Sequence, residues 1–535
     1  MFRFHSSISK LTHFGCKSAA LICLYLGVAS PVLSAQEITS FYIREYRVEG
    51  AKRLKKLEVE EAVYPFLGPG RTPADVEQAR AALEKVYHDK GFQTVSIGVP
   101  QQDPRWGVIR LEVLENKVGR LRVNGARFFL PSRIKREAPS MAEGATPDMN
   151  QVKKEIIGLN RLTDRRVTPE LRAGAEAGTV DIDLNVEDER PLHGSLELNN
   201  RNSADTTGLR LNGSISYGNL FQLGHTGGLS FQVAPQDPDD ALVFSGYYLA
   251  RVSDGMSLIF QGSKQDSDIS TSGGANVVGR GHTLGLRALF DLPSAEKFYQ
   301  TFSFGIDYKN LSEDILIGKD TVASPIEYYP VSASYDASWT EEKSFTEFST
   351  SLNFHLRGLG SDESDYSEKR FNADGSFVYL RSDLTHTHDL KCGSQLFGKI
   401  QSQISSQPLV SGEQISGGGL GTVRGYLESQ STGDNAIFGT VEFRSPSLIG
   451  AKDDDDSNSD EWRFHAFSDA GLLGIYDPLP GQKKRTGLAS VGVGTRFKVR
   501  EHYNGSLDLG VPIVGQGGNS QAGDIRVTFR GWADF

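Results

Sequence analysis

Cysteine is scarce in this 535-residue sequence, which contains only three. Two of them, Cys16 and Cys23, lie in the N-terminal leader described below, so its removal would leave Cys392 alone, without an intrachain disulfide. Long apolar runs are also missing, because nothing after the leader approaches the roughly 18 consecutive apolar residues of a transmembrane helix. These absences exclude an inner-membrane helical protein but not an outer-membrane β-barrel, whose alternating strands keep mean hydropathy low.

Basic residues are fewer than acidic residues, and known catalytic motifs are absent from the sequence. The sequence has 57 Lys and Arg against 67 Asp and Glu, a formal net charge of -10, so we do not expect nucleic acid as a partner. It contains no nucleophile elbow, no Lys-Ser/Thr phosphate loop, no zinc-binding helix and no carboxylate pair with a base. We therefore expect neither an enzyme nor a cofactor site.

Residues 1–35 have the composition of a secretory signal peptide. Basic residues precede the apolar run 19–29, and the small residues Ser34 and Ala35 suit cleavage. A membrane anchor is the alternative, but the run is too short to span a bilayer comfortably. Leu33 is a poor residue three positions before a cut after Ala35, so the exact site stays open.

The next part of the chain is an internal repeat with an offset of about 75 residues. Three segments recur in the same order, which predicts two copies of one module. The pairs are YRVEGA (46–51) with LRVNGA (121–126), TPAD (72–75) with TPD (146–148), and VIRLEV (108–113) with DIDLNV (181–186).

Each copy predicts the order β-α-α-β-β. In the first copy, Thr72 and Asp75 form a capping box at the second helix, with Pro73 in its first turn, and Gly91 ends that helix. The second copy, 117–189, has a weaker second helix over 147–159. The remaining elements of the first copy are a strand at 41–48, a short helix at 57–66, and strands at 92–99 and 108–114. The apolar helix face consists of Val76, Ala79, Leu83, Val86 and Tyr87.

This order, with Val-x-Gly closing the first strand and Gly-Phe opening the second, resembles the polypeptide-transport-associated (POTRA) domain. The resemblance implies periplasmic domains at 41–116 and 117–190 that bind unfolded chains at a sheet edge. The alternative is a pair of small α+β domains that serve as spacers.

From residue 191 to 535 the pattern becomes that of a transmembrane β-barrel. Segments of roughly ten alternating residues are separated by turn clusters, and we count about sixteen, an even number as bacterial barrels require. A soluble sandwich or propeller is the competing class, but no blade-length repeat is visible and a sandwich of this size would normally split into domains. Clear examples of such segments are 209–217, 242–252, 302–308, 437–443 and 489–497.

The last predicted strand ends in an aromatic residue, Phe535, on an apolar row that we expect to face lipid. This resembles the C-terminal strand that outer-membrane barrels present for assembly, so membrane lipids and the barrel-assembly machinery are expected partners. The row consists of Ile525, Val527, Phe529, Gly531, Ala533 and Phe535.

Several stretches resemble the two-partner secretion transporters, or haemolysin secretion/activation proteins. The segments 200–210, 219–221 and 224–225 are similar to the first hairpin of that barrel, and 414–418 leads into a Val-Arg-Gly-Tyr motif. The resemblance implies that a long loop, 412–435, folds into the lumen and that its arginine meets an acidic residue in a Phe-x-Asp-x-Gly motif on the wall. The implied site residues are Val423, Arg424, Gly425, Tyr426, Phe467, Asp469 and Gly471.

Alternation in the strand 462–471 independently supports this pairing. Arg463, His465 and Asp469 share one face, and the polar face must look into the lumen. Arg424 can bind such a carboxylate through two hydrogen bonds, most strongly where water is partly excluded. The alternative is that Arg424 is a solvated loop residue.

Three weaker features remain. Only residues 36–40 separate the leader from the first strand, too few for the pore-plugging helix that family members commonly carry, so occlusion would depend on the Arg424 loop. The acidic run 453–461 has oxygen ligands that suit Ca²⁺ but lacks EF-hand spacing, which favours a solvated periplasmic turn. His386 and His388 share a strand face and could bind a metal, but a lumen-facing polar pair is preferred.

These observations predict an outer-membrane translocator that exports a large unfolded partner exoprotein from periplasm to cell surface. The closest alternative is an assembly factor that inserts other barrels, although such factors usually carry more POTRA domains. A passive porin or adhesin is a further alternative. The identity of the exported partner is not encoded in this chain.

Overall fold

The computed structural model describes residues 40–204, 206–267, 279–317, 320–450, 460–516 and 520–535. The predicted signal peptide 1–35, the linker 36–39 and positions 453–459 of the acidic run lie outside the described residues. The chain divides into two compact units, with the boundary between Glu115 and Asn116. Within the described ranges, no helix is long and apolar enough to cross a membrane.

The first unit is an α+β domain with a three-stranded sheet. Strand β5 lies between a parallel β2 and an antiparallel β4, while β1 pairs separately with β3. The single strand predicted at 41–48 is therefore two strands with different partners. The elements are β1 (Phe41–Ile43), β2 (Glu45–Glu49), α1 (Lys56–Val63), β3 (Gly68–Arg71), α2 (Pro73–Asp89), β4 (Val95–Gly98) and β5 (Val108–Glu115).

Helix α2 begins with the predicted capping box. The Thr72 Oγ1 accepts a hydrogen bond from the Asp75 N–H, and Asp75 Oδ2 accepts one from the Thr72 N–H at 2.8 Å. The hydrogen bond from the Thr72 side chain is the main cause that lowers the pKa of Asp75. Further along the helix, Leu83 and Tyr87 are completely buried in the core. The cap thus fixes where the helix starts, and the apolar face fixes how it packs.

The second unit begins with a domain of the same element order. Strand β8 lies between a parallel β6 and an antiparallel β7, which repeats the arrangement around β5. Its elements are β6 (Lys117–Asn124), α3 (Pro131–Arg136), α4 (Met149–Leu159), β7 (Arg165–Ala173) and β8 (Thr179–Asp188).

The glycine of the repeated Val-x-Gly segment has the same structural role in both domains. Gly50 and Gly125 have φ of 90° and 86°, and a Cβ atom on either would lie 2.3 Å from the carbonyl oxygen of Val113 or Val186. Any side chain there would collide with the last strand of its own domain. The repeat in the sequence therefore corresponds to a repeated close approach of two backbones.

The rest of the second unit is a closed antiparallel barrel with a short helix in one loop. Its elements are β9 (Leu192–Asn199), β10 (Arg210–Leu220), β11 (His225–Val233), β12 (Ala241–Ser253), β13 (Met256–Ser267), β14 (Gly279–Asp291), β15 (Phe298–Ile317), β16 (Asp320–Tyr328), β17 (Val331–Thr340), β18 (Ser344–His355), α5 (Glu363–Lys369), β19 (Phe377–Asp389), β20 (Gln395–Ser405), β21 (Ile415–Gly417), β22 (Ser431–Gly433), β23 (Asn435–Arg444), β24 (Glu461–Gly474), β25 (Arg485–Val499), β26 (Tyr503–Pro512) and β27 (Arg526–Asp534).

The wall of the barrel has sixteen strands, which confirms the predicted fold class. Strands β16 and β17 are two parts of one wall strand, because the long β15 pairs with both of them in succession. Pro330 lies at the break and has no N–H to offer the ladder. Strand β27 pairs with β9 and closes the cylinder, while β21 and β22 form a separate hairpin.

The two faces of the wall alternate as the sequence predicts. In β27, Val527 is 47% exposed, whereas Thr528 is buried and Arg530 binds Glu197 on the inner face at 2.7 Å. The apolar row that ends at Phe535 therefore faces outward. This pattern is the one that a lipid-facing surface requires.

The two histidines of β19 lie on the outer face, so the prediction that they line the lumen is wrong. His386 and His388 have the same alternation as the exposed Leu380 and Leu384. Their rings stack with centroids 6.2 Å apart, and Thr346 Oγ1 lies 2.8 Å from His386 Nδ1. No group of three His, Cys, Asp or Glu side chains with metal-binding geometry occurs among the described residues.

Candidate functional site

The segment between β20 and β23 packs against inner faces of the wall on several sides. We call residues 411–434 the inward loop. Its hairpin, β21 with β22, has Ile415 paired with Gly433, and most of the loop is buried. A loop that extended into solvent would be exposed, so burial of this extent shows that it occupies the lumen.

Arg424 binds Asp469 of β24 through two parallel hydrogen bonds from one edge of its guanidinium. Arg424 Nε donates to Asp469 Oδ2 at 2.8 Å, and Nη2 donates to Oδ1 at 2.9 Å. The Arg424 backbone N–H also donates to Oδ2 at 3.1 Å. Asp469 is 1% exposed and Arg424 5%, so the pair is shielded from water. A bidentate pair in such surroundings is among the stronger polar contacts in proteins.

Two further carboxylates surround the same guanidinium. Arg424 Nη1 lies 2.6 Å from Glu442 Oε2 on β23 and 3.5 Å from Asp508 Oδ1 on β26. Glu442 also accepts from Arg444 at 2.8 Å, and Asp508 lies 2.7 Å from His465 Nε2. Buried charges are tolerated when each is paired, and these partners supply the pairing.

Sequence reasoning identified Asp469 but missed Glu442 and Asp508. Glu442 lies within the strand predicted at 437–443, on the face shared by the buried Phe438. Alternation could therefore have placed it in the lumen. It could not have shown that Glu442 and Asp508 meet Arg424, because they come from two further strands that only barrel closure brings together.

The aromatic residue of the wall motif stacks on the arginine. The guanidinium carbon of Arg424 lies 3.4 Å from the ring centroid of Phe467. A cation over an aromatic face is attracted by the ring quadrupole, by about 0.5–2 kcal/mol depending on desolvation. Gly492 on β25 leaves room for this ring, since a Cβ there would lie 2.3 Å from Phe467 Cζ. Phe467 thus stacks on the guanidinium whose N–H groups bind the carboxylates.

Gly425 allows the loop backbone to touch the wall. Its φ is 88°, and a Cβ atom would lie 3.1 Å from the carbonyl carbon of Gly510. A Cβ on Gly510 would in turn lie 2.6 Å from Gly425 N. Two glycines therefore face each other where loop and strand β26 meet, and neither position accepts a larger residue without displacing the loop.

The remaining motif residues flank this contact. Val423 is fully buried with Phe438, and a Cβ on Gly471 would lie 2.4 Å from the Phe438 ring. The Tyr426 hydroxyl donates to the Val514 carbonyl oxygen at 2.6 Å and accepts from the backbone N–H at position 489 at 3.2 Å. All seven predicted site residues therefore lie in one contact region between the loop and strands β23 to β26.

The inward loop has three more ionic contacts that no sequence motif indicated. Glu413 accepts from Lys309, Tyr328 and Tyr379 at 2.6–2.8 Å, on the part of the wall formed by β15, β16 and β19. At the other end of the loop, Asp434 accepts from the Tyr476 N–H at 2.6 Å and binds Arg370 at 3.3 Å. The third pair joins Glu428 to Arg201 at 2.8 Å.

The first-hairpin motif at 219–221 contacts the second POTRA-like domain. Phe221 and Gln222 have φ of 57° and 58°, which is unusual for bulky residues and turns Gln222 toward that domain. The Gln222 side chain accepts from the Leu130 N–H and donates to the Phe128 carbonyl, both at 3.0 Å. Arg133 Nε donates to the Gln222 carbonyl at 3.1 Å. The motif thus attaches the second domain to the base of the barrel.

Two protein-family models match the chain. A model described as POTRA domain, ShlB-type, matches residues 41–116. A model described as haemolysin secretion/activation protein ShlB/FhaC/HecB matches residues 178–497 and so includes the inward loop and the wall strand β24.

Curated relatives include outer membrane transporter CdiB from Dickeya dadantii, which is 22% identical over 416 residues. That alignment covers 74% of this chain and 71% of the relative. CdiB from Escherichia coli is 28% identical over 192 residues, which cover 36% of this chain and 32% of the relative.

Similar solved structures show the same fold. CdiB from Escherichia coli has a TM-score of 0.62 and 20% identity, covering 95% of this chain and 93% of its own. CdiB from Acinetobacter baumannii has a TM-score of 0.57 at 14% identity, covering 95% and 94%. BamA from Haemophilus ducreyi, lacking POTRA domains 1–3, has a TM-score of 0.55 at 14% identity, covering 92% and 100%.

Proposed function

The chain belongs to the haemolysin secretion/activation protein family ShlB/FhaC/HecB, and from this premise we propose how it moves its cargo. It is an outer-membrane transporter of two-partner secretion, with periplasmic POTRA domains and a secreted protein as its partner. The family match favours this function over that of a general barrel-assembly factor, since the likeness to BamA is one of fold alone.

In our proposal, the domains at 41–116 and 117–190 capture the unfolded exoprotein in the periplasm. Strand β4 ends one three-stranded sheet and β7 ends the other. The outer edge of such a strand can pair with an extended chain through main-chain hydrogen bonds, which demand no particular sequence. The captured segment then enters the barrel, 191–535.

The inward loop is the gate of this path. The observation that carries the proposal is the buried bidentate contact between Arg424 and Asp469 inside the lumen. An unfolded chain cannot pass while the loop fills that space, so transport requires this contact to break or shift. No nucleotide supplies energy in the periplasm, and folding of the exported protein outside gives the direction.

The outward apolar rows of the wall contact membrane lipids, and Phe535 is the signal read by the barrel-assembly machinery. Phe535 is 66% exposed at the end of the outward row in β27. Its backbone still pairs with Gly194, because Gly194 N–H donates to the Phe535 carbonyl at 3.1 Å. The side chain is thus held at a fixed position on the outer surface.

Deletion of the gene tests the proposal. Loss of this chain should abolish surface display of one large secreted protein and leave the levels of other outer-membrane barrels unchanged, and the wild-type gene should restore display. A decrease in many barrels at once would instead identify an assembly factor. Unchanged surface display of every secreted protein would refute the proposal.

A further inference from the structure

The barrel is closed by an incomplete ladder between its first and last strands. Strand β27 pairs with β9 from Asp534 to Arg530, opposite Ser195 to Asn199, and β9 then ends. Strand β27 continues to Arg526 and keeps its pairing with β26 over that length. The edge of β27 from 527 to 529 therefore extends beyond the partner strand that should cover it.

A side chain substitutes for the missing part of β9. The Phe529 N–H donates to Asn200 Oδ1 at 2.8 Å, and Asn200 Nδ2 donates to the Val527 carbonyl oxygen at 2.8 Å. A carboxamide offers the same donor and acceptor as a peptide unit, so Asn200 satisfies this edge as another strand would. The Asn200 backbone N–H adds a longer hydrogen bond to the Phe529 carbonyl at 3.4 Å, so the two shorter bonds at this edge come from the side chain.

The residues that follow Asn200 are bound to the inward loop. Arg201 Nε donates to Glu428 Oε1 at 2.8 Å, and the Glu428 N–H donates to the Asn202 carbonyl at 3.1 Å. Asn202 Oδ1 also accepts from Arg526 of β27 at 2.8 Å. Glu428 is only 5% exposed, so withdrawing it would leave Arg201 without the carboxylate that compensates its own burial.

We propose that residues 200–202 are a seam latch that couples the inward loop to the β9–β27 seam. When the loop leaves the lumen, Glu428 releases Arg201 and Asn202, and Asn200 no longer covers the edge at 527–529. The occupant that this edge fits is an extended segment of the exported exoprotein. The backbone of an extended segment presents donors and acceptors at the spacing of a strand. The Asn200 carboxamide presents one such donor and one such acceptor. The identity of this occupant rests on the proposed transport function.

Hydrogen exchange on the purified full-length chain tests the coupling, with Glu428→Gln compared with Glu413→Gln. Both variants neutralise a buried carboxylate of the inward loop, but only Glu428 binds the seam latch. We expect amide exchange of the segment 526–529 to accelerate by about tenfold or more in Glu428→Gln and to stay at the wild-type rate in Glu413→Gln. Equal rates in the two variants would overturn the coupling. Unchanged exchange in β24 and β25 verifies that both barrels are folded.

Two variants at position 200 test whether the Asn200 side chain takes the place of a neighbouring strand. Asn200→Asp keeps the acceptor for the Phe529 N–H and loses the donor to Val527, whereas Asn200→Ala loses both. Exchange of the Phe529 amide should therefore increase more in Asn200→Ala than in Asn200→Asp. The same increase in both would show that the carboxamide does not act as a peptide unit.

Photocrosslinking in cells tests the occupant. A benzophenone amino acid replaces Val527 beside the edge or, as a matched control, Val491 on β25; these valines are 47% and 44% exposed. For this experiment the secreted partner is fused at its C-terminus to a stably folded domain, which stalls export. A third benzophenone probe at the lumen-facing Gln401 reports whether the partner has entered the barrel. Adducts with the partner from 527 and 401 but not from 491 are expected.

The three probes separate failure of this inference from failure of the proposed function. An adduct from 401 without one from 527, or a lipid adduct alone at 527, would show that the partner crosses without using the seam. Partner adducts from none of the three positions would contradict transport through this barrel itself.

Discussion

Asp469 of the wall accepts hydrogen bonds from both the Arg424 backbone N–H and one edge of the Arg424 guanidinium. One carboxylate therefore fixes the path of the loop backbone and neutralises the loop's arginine at the same time. Removing it affects both the conformation and the charge of the inward loop, and this double role makes the contact suitable for mutational tests.

Reversing the charges tests the contact directly. Arg424→Asp and Asp469→Arg should each reduce secretion of the partner strongly, because each leaves like charges buried together at a cost of about 3–5 kcal/mol. The double variant should recover only part of the secretion. One pair is restored, but Glu442 and Asp508 then face a carboxylate at position 424 instead of a guanidinium. Purely additive defects in surface display would show that Arg424 and Asp469 do not act as a pair in the gate.

The distances to the two other carboxylates predict unequal effects. Glu442 lies 2.6 Å from Arg424 and Asp508 3.5 Å, so Glu442→Gln should loosen the loop more than Asp508→Asn. The loss of Glu442 also leaves Arg444 and Arg496 without their shared carboxylate. We expect more frequent open events in planar bilayers for Glu442→Gln. A greater effect of Asp508→Asn would show that the distances do not rank these contacts.

Gly425 and Gly421 form a matched pair for testing the close approach of loop and wall. Gly425→Ala adds a Cβ against Gly510 at a φ of 88°, whereas a Cβ on Gly421 meets no atom within 4 Å. Alanine at 425 should destabilise the inward position of the loop by about 1–3 kcal/mol and raise channel conductance. Alanine at 421 should leave conductance at the wild-type value, and an effect of equal size there would refute the explanation.

The helix cap of the first POTRA domain predicts a dependence on pH. The pKa of Asp75 is lowered below its ordinary value of 3.8, chiefly by the Thr72 hydroxyl. A lowered folded-state pKa stabilises the domain above about pH 4, and this contribution is lost as the pH falls through the lowered value. Protection of α2 amides, corrected for intrinsic exchange, should therefore decrease in acid.

The variant Thr72→Val provides the control for the cap. The Thr72 hydroxyl accepts from the Asp75 N–H and also lowers the pKa of Asp75. Valine removes this hydroxyl while keeping a side chain of similar shape. Protection of α2 in this variant should be weaker at pH 7 and should change less between pH 7 and acid. An undiminished change would mean that another group causes the acid sensitivity.

Alternation and turn chemistry made much of the fold predictable. The capping box at Thr72 follows from residue spacing, and the lumen-facing position of Asp469 follows from spacing together with the polar residues on its row, since both depend on neighbours within one element. The break at Pro330 has an equally local cause, because proline cannot donate to a ladder. What one strand or helix determines by itself could be inferred from the sequence.

Contacts between strands could not be inferred in this way. The pairs Glu428–Arg201 and Glu413–Lys309 join residues 227 and 104 positions apart, and no spacing rule connects them. The error at His386 has a different cause: alternation shows that two residues share a face but not which face is outside. The leucines at 380 and 384 on the same row were the signal that would have corrected it.

The wall strands differ greatly in length, and this sets where an exported chain meets the exterior. Strand β15 has 20 residues and β9 has 8, which correspond to about 66 Å and 26 Å along the strand at the usual rise. The extracellular rim is therefore high beside β15 and low at β9. A polypeptide that leaves over the low side is free to begin folding earlier than one that leaves over the high side.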